Sequence, residues 1–258
     1  MHLFRFSTTL LLACITPLSA LATQWGYSGD IAPEYWGEIN TTYERCQNGM
    51  NQSPIDIQRT ATSKPGLPAL SMQYTNSPTR FLSINHTLQA TMNSYTSDTL
   101  DIDNQLYYLK HFDFHAPSEH TIDGKRYAME IQLTHKNQEG DIAILAVMFD
   151  VDEPNQAIQN LWASFPTMAG NSMPILSPVN INLLLPDSKT YWRYNGSLTI
   201  PPCREKVTWI VLKTPMTLSA EQLEKFQYFV GYANNRPLQQ LNGRQVLDSQ
   251  SDSAEILY

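Results

Sequence analysis

The chain predicts a mainly β (α+β) fold, a mostly antiparallel sheet with a few short peripheral helices. Three observations point there. Five segments rich in β-branched and aromatic residues alternate partially between polar and apolar, with Gly, Pro, Asn and Asp punctuating the gaps. Helical periodicity is confined to two stretches. The chain has 258 residues, 42% hydrophobic and 16% charged, which suits one large domain with a real core.

The first 22 residues are built differently from the rest. Arg5 is their only charge, an apolar run covers Leu10 to Ile15, and Ala20-Leu21-Ala22 places small residues before Thr23. This pattern predicts a secretory signal peptide over 1–22 and a single domain over 23–258, periplasmic or secreted. A buried N-terminal helix is the alternative reading, and the run is too short to span a bilayer. Leu11-Leu12-Ala13-Cys14 can also be read as a lipid-attachment site behind a very short leader. No transmembrane segment is expected in the mature chain.

Cleavage after Ala22 leaves two cysteines, Cys46 and Cys203, in a chain bound for an oxidising compartment. A disulfide is predicted, with two buried free thiols as the alternative. Losing Arg5 moves the net charge from -7 to -8. An acidic surface with scattered Lys and Arg disfavours nucleic acid as a partner.

From Thr23 onward there is no internal repeat, low-complexity tract or linker-like charge run. The predicted strands are Leu82 to Met92, Gln105 to His115, Tyr127 to His135, Ile142 to Phe149 and Lys206 to Lys213. The predicted helices are Glu153 to Phe165 and Ser219 to Tyr232. In the second, Ser219 with Gln222 three residues on forms a capping-box pattern.

The chemistry concentrates in two of these strands. His111-Phe112-Asp113-Phe114-His115 alternates strictly, so His111, Asp113 and His115 share one face and both phenylalanines pack on the other. Glu130-Ile131-Gln132-Leu133-Thr134 presents Glu130, Gln132 and Thr134 together in the same way. Neighbouring strands of this kind could converge on a metal. Spacing alone leaves open a solvated sheet face.

Ordered motifs along the mature chain narrow the reading. They are Trp25-Gly26-Tyr27, Pro33-Glu34-Tyr35-Trp36, Asn51-Gln52-Ser53-Pro54-Ile55-Asp56-Ile57, Phe112 through His120, Tyr194-Asn195-Gly196-Ser197-Leu198-Thr199, Pro201-Pro202-Cys203, Val207-Thr208-Trp209 and Asn235-Arg236-Pro237-Leu238. Over nearly its whole mature length the chain thereby resembles the alpha carbonic anhydrase family, secreted bacterial type. The resemblance implies a large twisted sheet, a central conical cleft and a Cys46–Cys203 bridge.

It also implies three histidine ligands for Zn²⁺, whose bound water, acidified to a pKa of about 7, attacks CO₂. Here the three positions hold Asp113, His115 and Gln132. A carboxylate weakens the electrostatic pull on a bound water, and an amide carbonyl is a poor zinc ligand better suited to hard cations that want six or more oxygens. Zn²⁺ binding is therefore expected to be weak or absent. His111, where the family commonly has Gln, could stand in as a ligand only across a shift of some 6–7 Å along the strand.

The surrounding shell matches the family more closely. Thr199 and Glu119 correspond to the hydroxyl and carboxylate that orient the attacking group. Glu130 corresponds to the carboxylate behind the third ligand, and His86 to the proton-shuttle histidine. His120 and His135 match structural histidines. The apolar wall that receives CO₂ maps to Thr134, Ile144, Leu198, Val207 and Trp209, with Ile200 beside Thr199. Thr134 adds a hydroxyl to that wall, and Ile200 adds bulk.

Two functions follow from the resemblance. One is an exported pseudoenzyme that uses its cleft to bind an unknown protein or small ligand. The other is an active carbonic anhydrase, with CO₂ and bicarbonate as substrates, working through an altered Asp/His/Gln metal site.

Overall fold

The computed structural model describes residues 25–63, 66–84, 86–166 and 172–249. The leader predicted over 1–22, its cleavage point and Cys14 lie outside the described residues. Among those described, no helix is long and apolar enough to cross a membrane.

Fifteen strands occur among the described residues: β1 (Asp56–Ile57), β2 (Ser71–Gln73), β3 (Arg80–Ile84), β4 (Thr87–Thr91), β5 (Thr99–Ile102), β6 (Gln105–His115), β7 (Thr121–Ile122), β8 (Lys125–Arg126), β9 (Met129–Lys136), β10 (Ile142–Val151), β11 (Ser172–Pro174), β12 (Tyr191–Ser197), β13 (Glu205–Leu212), β14 (Met216–Leu218) and β15 (Leu247–Asp248). Twelve of them build one large sheet in the order β11-β3-β4-β6-β9-β10-β13-β12-β15, with β14 beside β10 and β2 joined through β5 to β6. Within it β10 runs parallel to β13 and β14, and the other neighbours are antiparallel. The mostly antiparallel sheet read from composition is what forms.

Alternation decides which face is core. Phe112 and Phe114 of β6 and Ile131 and Leu133 of β9 are fully enclosed in the main apolar cluster, joined by Leu109 across the register shift that precedes His111. His111, Asp113 and His115 therefore point to the opposite face, together with Glu130, Gln132 and Thr134. The predicted strand over Leu82 to Met92 proves to be two. β3 and β4 pair as a hairpin, Ile84 opposite Thr87, and the chain reverses through His86 at φ +61°. Asn85-His86 reads as continuous strand only if its turn chemistry is ignored, since a two-residue hairpin loop calls for left-handed backbone.

Four short α-helices occur among the described residues: α1 (Trp36–Ile39), α2 (Arg45–Asn48), α3 (Gln156–Trp162) and α4 (Ala220–Val230). Both predicted helices are present and shorter than their periodicity suggested. In α3 the Asn155 side chain accepts from the Ala157 and Ile158 backbone, so the helix starts after Glu153-Pro154. In α4 the Ser219–Gln222 capping box is complete, and Gly231 ends the helix in left-handed conformation at φ +80°.

Cys46 of α2 is bonded to Cys203, with their Cα atoms 5.0 Å apart across 157 residues of sequence. Trp25, Trp36 and the two cysteines form a small apolar cluster of their own. Replacing both cysteines by serine is expected to cost about 2–5 kcal/mol, because the link closes a long loop of the unfolded chain. Urea unfolding of the oxidised protein against the double variant measures it.

Candidate functional site

The site is a row across three strands. Asp113 on β6 lies directly opposite Gln89 on β4 and Gln132 on β9, and His111 lies opposite Thr134 in the next row. His115, two residues past Asp113 on the same face, lies opposite Glu130. The sheet thus gathers His111, Asp113, His115, Glu130, Gln132 and Thr134 as alternation predicted.

Asp113 is engaged on both oxygens. Gln89 Nε2 donates to Oδ1 at 3.0 Å, and His111 Nε2 lies 3.4 Å from Oδ2. Burial pushes the Asp113 carboxyl up, but His111, Gln89 and His115 together hold it below the usual carboxylate range. Burial likewise pulls the His111 imidazole down, and Asp113 more than offsets this, so His111 titrates above an ordinary histidine. His111 thus pairs with the carboxylate that stands where the resemblance places a ligand.

Gln132 is held harder still. Its Nε2 donates to Glu119 Oε2 at 2.7 Å and to Glu130 Oε1 at 2.9 Å, spending both amide hydrogens on two fully buried carboxylates. Glu130 also accepts from the Glu119 and His120 backbone and from His120 Nδ1. Burial pushes its carboxyl up, and His120, these backbone donors and His115 overcome that to bring it to about 2. His120 Nε2 in turn lies 2.6 Å from Tyr194 Oη. Gln132→Leu would leave Glu119 and Glu130 each short of a donor. The expected loss is about 2–4 kcal/mol, read by urea unfolding at neutral pH.

His115 Nδ1 donates to the Asn234 carbonyl at 2.7 Å, which leaves Nε2 as its remaining ring nitrogen. Burial lowers its pKa, and Glu119, the Asn234 carbonyl, Asp113 and Glu130 together raise it above the ordinary value. Asn234 also accepts from the Ala116 backbone through its side-chain oxygen and donates to Phe114 O, fixing the end of β6.

Glu119 is where the arrangement departs from expectation. The resemblance pairs it with the Thr199 hydroxyl, but no hydrogen bond joins the two. Glu119 Oε1 accepts from the Arg236 backbone at 3.0 Å and Oε2 from Gln132. The Gln132 amide donates to the same carboxylate that the resemblance pairs with Thr199. The Arg236 guanidinium, fully buried against Trp36, is occupied by Gln52, Ser53 and Cys46 oxygens.

His86 is also held. Its Nδ1 lies 2.6 Å from Tyr232 Oη, and its ring packs on Trp25 at 4.8 Å. Tyr27, stacked among the same rings, has a buried hydroxyl without a partner. Of the predicted apolar wall, Ile144, Val207 and Trp209 share one cluster with Leu198 packed against it, and Thr134 pairs with Ile144 across β9 and β10. Ile200 packs instead with the tryptophans beside the disulfide, so its bulk belongs to a different cluster.

Gln89, Asn234, Tyr232 and Tyr27 were not foreseen. Tyr27 sits in the Trp-Gly-Tyr motif, and Gln89 follows from alternation once register is known. Nothing local marks Asn234 or Tyr232.

The donors present do not fit zinc. One imidazole nitrogen, one amide oxygen and a carboxylate already engaged by Gln89 and His111 fall short of the nitrogen- and sulfur-rich set that zinc selects. Among the described residues no three His, Cys, Asp or Glu side chains are arranged to hold a metal.

Comparison with known proteins agrees with the geometry of the scaffold. Residues 31–250 match the model of the eukaryotic-type carbonic anhydrase family. A carbonic anhydrase of Klebsiella pneumoniae is 47% identical over 239 residues, covering 93% of this chain and 96% of that one. The solved alpha-carbonic anhydrase of Thermovibrio ammonificans, in complex with the inhibitor sulfanilamide, superposes with a TM-score of 0.85 at 41% identity, covering 88% of this chain and 99% of that one. Dioscorin complexed with ascorbate superposes with a TM-score of 0.83 at 29% identity, over 89% of this chain and 100% of that one.

Proposed function

The chain belongs to the eukaryotic-type, or alpha, carbonic anhydrase family, and from that premise we propose that it is an exported pseudoenzyme that uses its cleft for binding. Zinc binding is weak or absent and CO₂ hydration is slight. The observation that carries this reading is the Gln132 amide. It stands where the resemblance places a ligand histidine, and it supplies both hydrogens to Glu119 and Glu130. Two effects of one residue therefore act against the family's chemistry, and Asp113, paired with His111, adds a third.

Ligand binding as a use for this architecture is supported by dioscorin, a protein of the same fold solved with ascorbate. The N-terminal pattern over 1–22 supports export to the periplasm or beyond. A second reading, an active enzyme with an Asp/His/Gln metal site, is favoured by the retained Glu119, Glu130, Thr199 and His86 and by the relatives named carbonic anhydrase.

Stopped-flow CO₂ hydration by mature protein incubated with zinc separates the two. The proposal expects a rate close to the uncatalysed reaction. A turnover approaching the ~10⁶ s⁻¹ of efficient carbonic anhydrases would support the second reading and overturn the first.

A further inference from the structure

The row of polar side chains across β6 and β9 is rich in hydrogen-bond acceptors. Carboxylates only accept, so the Gln132 amide must turn its nitrogen toward Glu119 and Glu130, and its oxygen is the atom left without a partner. His115 must donate through Nδ1 to the Asn234 carbonyl, which in the neutral ring leaves the Nε2 lone pair unpartnered. Asp113 retains lone pairs beyond those used by Gln89 and His111.

His115 and Gln132 are only 3% and 4% exposed. Yet neither Nε2 nor Oε1 is among the wholly enclosed unpartnered atoms, so each keeps a little accessible surface. The three acceptors are close together. Asp113 and Gln132 are direct cross-strand partners, and Asp113 and His115 share a strand face. Glu119 touches both others, accepting from Gln132 at 2.7 Å and lying 3.7 Å from His115 Nδ1.

We propose that Asp113, His115 and Gln132 form a binding site for a protonated primary amine, whose three N–H donors meet the three acceptors. The inference rests on the metal-free reading of the centre. A metal needs basic ligands and is poorly served by an amide oxygen, whereas an –NH₃⁺ group treats an amide oxygen, an imidazole lone pair and a carboxylate as full partners. Its single charge is matched by Asp113, with Glu119 and Glu130 behind. An anion would meet acceptors only, and a quaternary ammonium has no hydrogen to give them. Free ammonium and a small alkylammonium share the chemistry.

The test begins with elemental analysis of the mature protein and then titrates it calorimetrically at constant ionic strength with ammonium, methylammonium and tetramethylammonium chlorides. Saturable one-to-one binding of ammonium or methylammonium, with none of tetramethylammonium, is expected. Tighter binding of ammonium marks the bare ion as the natural occupant, and tighter binding of methylammonium marks an amine carrying a substituent. Asp113→Asn, which keeps the shape and an acceptor for Gln89, should weaken binding at least about tenfold. Should that variant not fold, the His115 ring resonances of the unaltered protein report instead, and they should shift as the site saturates. Absence of saturable binding, equal binding of tetramethylammonium, unchanged affinity in folded Asp113→Asn, or unmoved His115 resonances would each overturn the proposal. An equivalent of bound zinc would overturn the metal-free reading as well, so the two failures are told apart at the first step.

Discussion

Replacing Asp113 and Gln132 together by histidine is expected to raise bound zinc from under about a tenth of an equivalent to about one, and CO₂ hydration by at least about 10³-fold. The support for a third imidazole is already in place. Glu130, which now accepts from the Gln132 amide, would accept the N–H of a histidine there and orient its other nitrogen. Loss of the amide also removes its bond to Glu119, the carboxylate the family resemblance pairs with Thr199. Asp113→His alone keeps Gln132 on Glu119 and should recover little activity. Zinc content and stopped-flow hydration of the two variants decide this. A double variant that binds zinc tightly and stays inert would direct attention to Thr134, Ile144 and Ile200, whereas one that binds none would contradict the placement of the two strands.

Acid sensitivity between pH 6.5 and 3 is expected to trace in large part to His135, with an effect of about 5 kcal/mol across the whole window. His135 is fully buried beneath the sheet, with Nε2 2.8 Å from Tyr74 Oη. Burial is the main reason its pKa falls to about 3. The folded protein therefore binds fewer protons than the unfolded chain throughout this window. Stability rises with pH there, and the contribution present above pH 6.5 is lost as pH falls toward 3.

Between pH 7.5 and pH 5 the loss assigned to this group is about 2 kcal/mol. His135→Gln, which can still meet Tyr74, should lose about that much less over the same interval, whatever its stability at pH 7.5. Comparing the two proteins isolates His135 from Glu130, which acts at lower pH, and from His111 and His115, whose raised values act in the opposite sense. Urea titrations at the two pH values measure it, and parallel losses in both proteins would contradict the assignment.

The face of β6 and β9 that carries the site was legible because strict alternation over residues 111–115 and 130–134 leaves one way to bury Phe112, Phe114, Ile131 and Leu133. The α4 helix was legible from its caps, since Ser219, Gln222 and Gly231 each make a local bond or conformation that needs no tertiary partner. The β3–β4 reversal was missed because β-propensity runs through residues 82–92 and outweighs the single turn signal. Apart from the Cys46–Cys203 bridge, partners from distant segments were not legible. Asn234 reaches His115 across 119 positions and Tyr232 reaches His86 across 146. Such contacts depend on register and loop path, which no local pattern encodes. The capture of Glu119 by Gln132 belongs to the same class, because it needs the exact reach of an amide in place of a ring.

On the proposed reading, Glu119 and Gln132 are the reason a preserved constellation does not carry preserved chemistry. Glu119, Glu130 and Thr199 all stand where the resemblance puts them in sequence, and both carboxylates accept from the Gln132 amide. The claim at the centre of this account is that Asp113, His115 and Gln132 do not hold zinc. Elemental analysis of the mature protein after incubation with excess zinc and dialysis tests it most directly. The account predicts less than about a tenth of an equivalent, and a stoichiometry near one zinc per chain would contradict it.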